Sequence, residues 1–197
     1  MFLGCTLILF QAMNPILASA LIPGWGEHLT GHKNQARTFF IVEGALWTAY
    51  AGFKYTGTKM ESSSRAFAVD HSGANPAAAD AEYYDVLEDY LSADEYNLEI
   101  ERDAGLYYPD DPRRQQEYIR ENGYFGADAW EWDTSANRTH YWQTRRTARE
   151  HLQRASFMIG FAFINRLVSV LNVALLSGQD KVGLETREGK FGLYYKF

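Results

Sequence analysis

Residues 130–176 read WEWDTSANRTHYWQTRRTAREHLQRASFMIGFAFINRLVSVLNVALL, and this stretch decides the fold. Its first half is basic and hydrophilic, carrying Arg138, Arg145, Arg146, Arg149 and Arg154. It passes without a proline into the largely apolar residues 155–176. At ~1.5 Å per residue that apolar part alone spans about 33 Å, against ~30 Å for the hydrocarbon core of a bilayer. The pattern predicts one long helix entering a membrane. The competing reading is a buried core helix in a water-soluble protein.

The rest of the chain is weighed against that helix. With 197 residues there is room for one domain, or for a few membrane helices around one extramembrane domain. The net charge of -6, from 25 acidic and 19 basic residues, gives no global electrostatic case for binding nucleic acid. Aromatic residues make up 15%, including 13 Tyr and 5 Trp, and such rings favour places where apolar and wet surroundings meet. Cys5 is the single cysteine, so no intrachain disulfide can form.

Residues 1–53 read as N-terminal membrane segments. Residues 2–22 are mostly apolar but are interrupted by Pro15, which removes a helix donor and clashes with the preceding turn. A signal cleaved after Ala18-Ser19-Ala20 and a retained apolar segment both fit. Pro23-Gly24-Trp25-Gly26 then predicts a tight turn at the membrane interface. Residues 38–53 form a second apolar run holding Glu43; at about 24 Å it is short for a bilayer unless flanking residues snorkel.

Residues 54–153 read as an acidic helical extramembrane domain. Tyr83, Val86, Leu87, Tyr90 and Leu91 make one apolar helical stripe. Ser92 and Glu95 have capping-box spacing, and Asp111-Pro112 supplies a cap and first-turn proline for a further helix that stops at Gly123. Asp133 is placed to cap the long helix, with Trp130 and Trp132 packing the small domain onto its membrane-proximal end. Residues 154–177 are the last membrane helix. In residues 178–197, Phe191, Leu193, Tyr195 and Phe197 alternate as in a strand, and Glu188-Gly189 can turn a short C-terminal β-hairpin.

Little in the chain suggests catalysis. Neither a glycine-rich phosphate loop nor a Gly-x-Ser-x-Gly elbow is present, and the sequence reads as non-enzymatic with no cofactor. His28 and His32 beside Glu27 have the i, i+4 spacing of two metal ligands, but glycines at 24, 26 and 31 argue against a helix there. A polar turn at a membrane surface is the reading, and no metal site is assigned. The many carboxylates between Asp85 and Asp103 are read as solvated. One polar set sits among apolar neighbours: Glu43, Asn165, Arg166, Ser169 and Asn172. Asn165, Ser169 and Asn172 share a helix face with Arg166 beside them, as expected for polar side chains bonding between spans. Glu43 and Arg166, each costly alone, are expected to meet.

The run ASALIPGWGEHLTGHK (18–33), with the later Trp130-x-Trp132-Asp133, Arg145-Arg146 and Asn165-Arg166-x-x-Ser169 elements, resembles a family of small bacterial envelope proteins, domain of unknown function 5683. The resemblance implies an integral envelope protein with the Pro-Gly-x-Gly turn at the bilayer edge. It transfers no catalytic residue or cofactor. Glu27 stands where that family usually carries Gln.

The expected fold is therefore mainly α: two or three membrane-spanning helices, an inserted helical extramembrane domain and a short C-terminal β-hairpin. The expected role is that of a membrane-anchored structural or adaptor protein of a bacterial envelope. Its partners are membrane lipid and other envelope proteins bound through the acidic Tyr-rich domain. Lys54, Lys59, Arg65 and the arginines before the last span place that domain in the cytoplasm and the chain in the inner membrane. A small channel or transporter subunit using Glu43 and Arg166, and a soluble helical protein-binding module, are the alternatives.

Overall fold

Two helices too long for a single small core set the architecture. In the computed structural model, which describes residues 13–78, 81–179, 182–187 and 190–195, α3 runs over Lys33–Ser72 and α7 over Ser135–Gln179. Neither contains a proline, so nothing removes a donor from their ladders. Before α3 come α1 (Pro15–Leu21) and α2 (Trp25–Leu29). Between the long helices lie α4 (Ala81–Asp89), α5 (Ala93–Tyr107) and α6 (Pro112–Asn122). After α7, β1 (Val182–Arg187) and β2 (Lys190–Tyr195) pair antiparallel, Val182 opposite Tyr195. These short strands leave the described chain mainly helical. Most of the N-terminal apolar segment and the turn at Glu188-Gly189 lie outside the described residues.

The expected two or three spans are not supported: among the described residues one helix is long and apolar enough to cross a membrane, α7 from Ser135 to Ser177. The apolar run of α3 falls short because Lys33, Arg37, Glu43 and Lys54 bracket or interrupt it. Helix α1 has only 7 residues, about 10 Å.

The chain divides into two compact units, Lys54–Gln153 and the combination of Met1–Phe53 with Arg154–Phe197. In the first of these, residues 130–133 explain the Trp-x-Trp-Asp sequence. The backbone there is extended and bonds alternately to two sides. Trp132 N donates to Leu91 O and Trp130 O accepts from Ala93 N, while Glu131 N and Asp133 N donate to Ser72 O and His71 O. Period-2 geometry then sends Trp130 and Trp132 to one face, where both are buried with Tyr83, Tyr84, Leu87 and Tyr141. The two tryptophans are thus core residues of this unit, and Trp132 packs on Tyr141 of α7 with ring centroids 5.1 Å apart. Tyr83 and Trp130 meet edge to face at 5.9 Å, a favoured geometry for aromatic pairs.

That segment and the first turns of α7 close the C-terminal end of α4, whose last carbonyls have no partner within the helix. Tyr141 Oη donates to Tyr84 O (2.8 Å), Trp132 Nε1 to Leu87 O (3.0 Å), and Arg138 Nη1 to Glu88 O (2.6 Å) and Asp89 O (3.1 Å). Glu88 is itself buried and held by Arg145 and by both terminal nitrogens of Arg149, at 2.5 and 2.8 Å. This corrects the reading of Glu88 as solvated: helical spacing places Glu88 one turn beyond Tyr84 on a buried face that the apolar stripe alone did not reveal.

Helix starts follow local chemistry. Ser92 Oγ accepts from Glu95 N (3.2 Å), and Glu95 Oε2 accepts from Leu91 N (2.7 Å), a capping box displaced by one residue. Asp111 caps α6 through Arg114 N (3.1 Å). For α7 the cap is Thr134, whose Oγ1 accepts from Asn137 N (3.1 Å), and not Asp133 as expected. Asp133 instead accepts from His71 (2.9 Å) and from Asn137 Nδ2, contacts that hold its carboxyl below the usual range.

Candidate functional site

The Pro-Gly-x-Gly turn is built by backbones approaching more closely than side chains allow. Gly24 sits at φ 96° in the left-handed region, and a Cβ there would lie 2.6 Å from Ala36 O. A Cβ on Gly26 would lie 2.1 Å from Pro15 O and 2.5 Å from Ser19 Oγ. Only glycine fits either place, so α1, α2 and the start of α3 close on one another around Pro23, Gly24, Trp25 and Gly26.

That closeness aims two backbone N–H groups at hydroxyls. Gly24 N donates to Ser169 Oγ (2.9 Å) on α7, and Gly26 N donates to Ser19 Oγ (3.0 Å) on α1. Each hydroxyl in turn donates to Glu27, Ser19 to Oε2 at 2.9 Å and Ser169 within 3.0 Å of both oxygens. Asn172 Nδ2 donates to Glu27 Oε1 (3.1 Å) and lies 3.1 Å from Gln35 Oε1 on α3. Glu27 is 0% exposed, and each of these donors is neutral. The carboxylate ties the turn to α1 and α7 at once.

About two turns of α7 before Asn172, a second carboxylate is held differently. Glu43 on α3 accepts from Arg166 Nη2 (3.1 Å), Asn165 Nδ2 (3.0 Å) and Trp47 Nε1 (2.9 Å). Gln35 faces Asn172 and Glu43 faces Arg166, so the two helices run antiparallel here. The five residues singled out in the sequence therefore serve two centres: Asn165 and Arg166 go to Glu43, Ser169 and Asn172 to Glu27. Sequence reasoning missed Glu27 as the second centre. The available signal was spacing: Asn165 and Asn172 are two turns of α7 apart, about 10 Å along its axis, farther than one carboxylate reaches.

Arg166 and Glu43 are expected to couple in a double-mutant cycle. Glu43→Gln or Arg166→Gln alone leaves a charge poorly compensated among apolar neighbours, and the double variant restores neutrality. The coupling energy is expected at about 1–3 kcal/mol, read from thermal melts in detergent; strictly additive losses would show that the pair contributes nothing.

This arrangement packs helices on one another. Among the described residues no group of three or more His, Cys, Asp or Glu side chains is placed to hold a metal ion. His28 is exposed and His32 lies 3.2 Å from Thr30 Oγ1. Neither imidazole joins the Glu27 carboxylate, whose oxygens face the two serines and Asn172.

The Lys54–Gln153 unit carries a separate surface. Leu98 and Leu106 are 62% and 71% exposed on α5, eight residues apart and hence on one face. Tyr107 beside them is also exposed, and the flanking Glu99 and Glu101 give the face a negative surround. Compared with family models, curated proteins and solved structures, the chain finds no match in any of the three.

Proposed function

We propose that this chain is a non-enzymatic, membrane-anchored adaptor of a bacterial envelope. Residues 1–53 and 154–197 form the anchor, and residues 54–153 the part that binds other proteins. The observation that carries this reading is the nakedness of α7: only 22% of its most apolar stretch is buried within the chain. Phe157, Phe161, Phe163, Leu167, Leu171 and Leu175 all face outward. A core helix of a water-soluble protein would bury such side chains at roughly 1.5–3 kcal/mol each; lipid covers them here. The apolar run of α3 lies in the same layer as a companion of α7, its Glu43 neutralised by Arg166 instead of facing lipid.

The anchor is favoured over a channel because the donors around Glu27 and Glu43 are already engaged in packing one helix on another. The exposed Leu98, Leu106 and Tyr107 within an acidic surround suit a partner that is apolar and basic. The motif resemblance to the envelope family fits the same placement, and the distribution of Lys and Arg favours the inner membrane with residues 54–153 on the cytoplasmic side. Fractionation tests the reading. The chain is expected in the inner-membrane fraction, resistant to alkaline carbonate and released only by detergent. Proteins that co-purify with it are expected to be lost from a Leu98→Glu/Leu106→Glu variant. Recovery as a soluble protein without detergent would defeat it.

A further inference from the structure

At the start of α3 the structure leaves an open hollow of about 410 Å³, lined by His28, Lys33, Ala36, Arg37, Phe40 and Ile41. The lining is sorted by height. Lys33, Arg37 and Ile41 follow one another at i, i+4 and i+8, with Ala36 and Phe40 beside them at i+3 and i+7. Cations therefore occupy the first turns of the helix and apolar groups the next.

Three features bear on this pair of cations. Among the described residues neither Lys33 nor Arg37 joins an ion pair, as Arg65, Arg145, Arg149 and Arg166 do. No carboxylate lines the hollow. The two nearest in sequence are engaged elsewhere, Glu27 by Ser19, Ser169 and Asn172 and Glu43 by Arg166, Asn165 and Trp47. Lastly, Phe40 and Ile41 continue the same surface as exposed apolar side chains, 42% and 60% accessible.

We infer that this hollow binds one phospholipid with a net anionic headgroup, its phosphate between Lys33 and Arg37 and an acyl chain along Phe40 and Ile41. A free phosphate would satisfy the cations but leave the apolar half wet. A zwitterionic lipid would bring its own ammonium against two unpaired cations. Phosphatidylglycerol-type chemistry meets both halves at once: one phosphodiester charge, a neutral polyol and two chains. The inference rests on the membrane-anchor reading.

The test uses the full chain, purified in detergent and examined by native mass spectrometry with equimolar phosphatidylglycerol and phosphatidylcholine of matched chains. Two cations near a lipid phosphate are expected to favour the anionic lipid by roughly tenfold or more. Lys33→Gln/Arg37→Gln, changed at exposed positions, is expected to abolish the preference while helical content stays unchanged. Lys33→Arg/Arg37→Lys keeps the charge and is expected to retain it. Equal retention of both lipids, a preference indifferent to the Gln variant, or displacement of the anionic lipid by millimolar inorganic phosphate would each overturn the site. In parallel, reconstitution into phosphatidylcholine nanodiscs separates the two claims. A chain that incorporates but shows no headgroup preference defeats this inference alone, and one that fails to incorporate defeats the anchor as well.

Discussion

Gly26→Ala is expected to lower the stability of the Pro-Gly-x-Gly unit by about 3–5 kcal/mol, combining overpacking at about 1–3 kcal/mol with the loss of buried hydrogen bonds. The added methyl would sit 2.1 Å from the carbonyl oxygen of Pro15, a backbone atom that cannot swing aside. Moving α1 away breaks the Gly26 N to Ser19 Oγ bond and draws Ser19 off Glu27. Gly44→Ala provides the comparison, since nothing lies within 4 Å of a Cβ at that position and a helical glycine carries a backbone-entropy cost. That variant is expected to gain about 0.5–1 kcal/mol. Thermal melts of both in the same detergent decide the matter; a Gly26→Ala midpoint equal to wild type would mean that the close approach is not made.

Glu88→Ala is the second large effect, expected at about 3 kcal/mol or more. The carboxylate is buried and shares its oxygens between Arg145 and Arg149. Arg145 is almost as buried, and Asp85, its remaining carboxylate partner, is mostly exposed. Removing Glu88 thus leaves a guanidinium in the interior with a solvent-weakened counter-ion, and breaking one partner of a buried pair costs more than the pair contributes. Glu88→Met/Arg145→Met removes both charges and is expected to recover much of the loss. Near-ultraviolet circular dichroism reports on it directly, because Tyr141 packs on Trp132, ring centroids 5.1 Å apart, in the adjoining core. An unchanged aromatic signal and midpoint for Glu88→Ala would show that Arg145 finds other compensation.

What the sequence made legible was local. Ser92 and Asp111 announce helix starts because each cap bond spans three residues, and those caps are present. The apolar run of α7 announces itself by composition and length. What stayed hidden depends on partners far along the chain. Glu88 reads as one solvated acid among many until Arg145, 57 residues later, folds against it. Glu27 reads as part of a polar turn until Ser169 arrives across 142 residues. Glu43 and Arg166 were legible despite their separation, because a lone charge in an apolar run signals a missing partner and only a few candidates exist. Glu27 had no such contrast, lying between a glycine turn and a polar connection.

The closure of α4 by residues 130–141 also sets an order of events during synthesis. When residues 81–90 leave the ribosome, the side chains that will accept responsibility for the last carbonyls of α4 have not been made. Trp132 follows Leu87 by 45 residues and Arg138 follows Glu88 by 50. At roughly 5–20 residues per second the delay is about 2–10 s. Through that interval the nascent segment has an acidic surface, an unfinished helix end and tyrosines that still lack Trp130, Trp132 and Tyr141. The unit therefore completes its folding only as the basic half of α7 emerges, immediately ahead of the helix's apolar half.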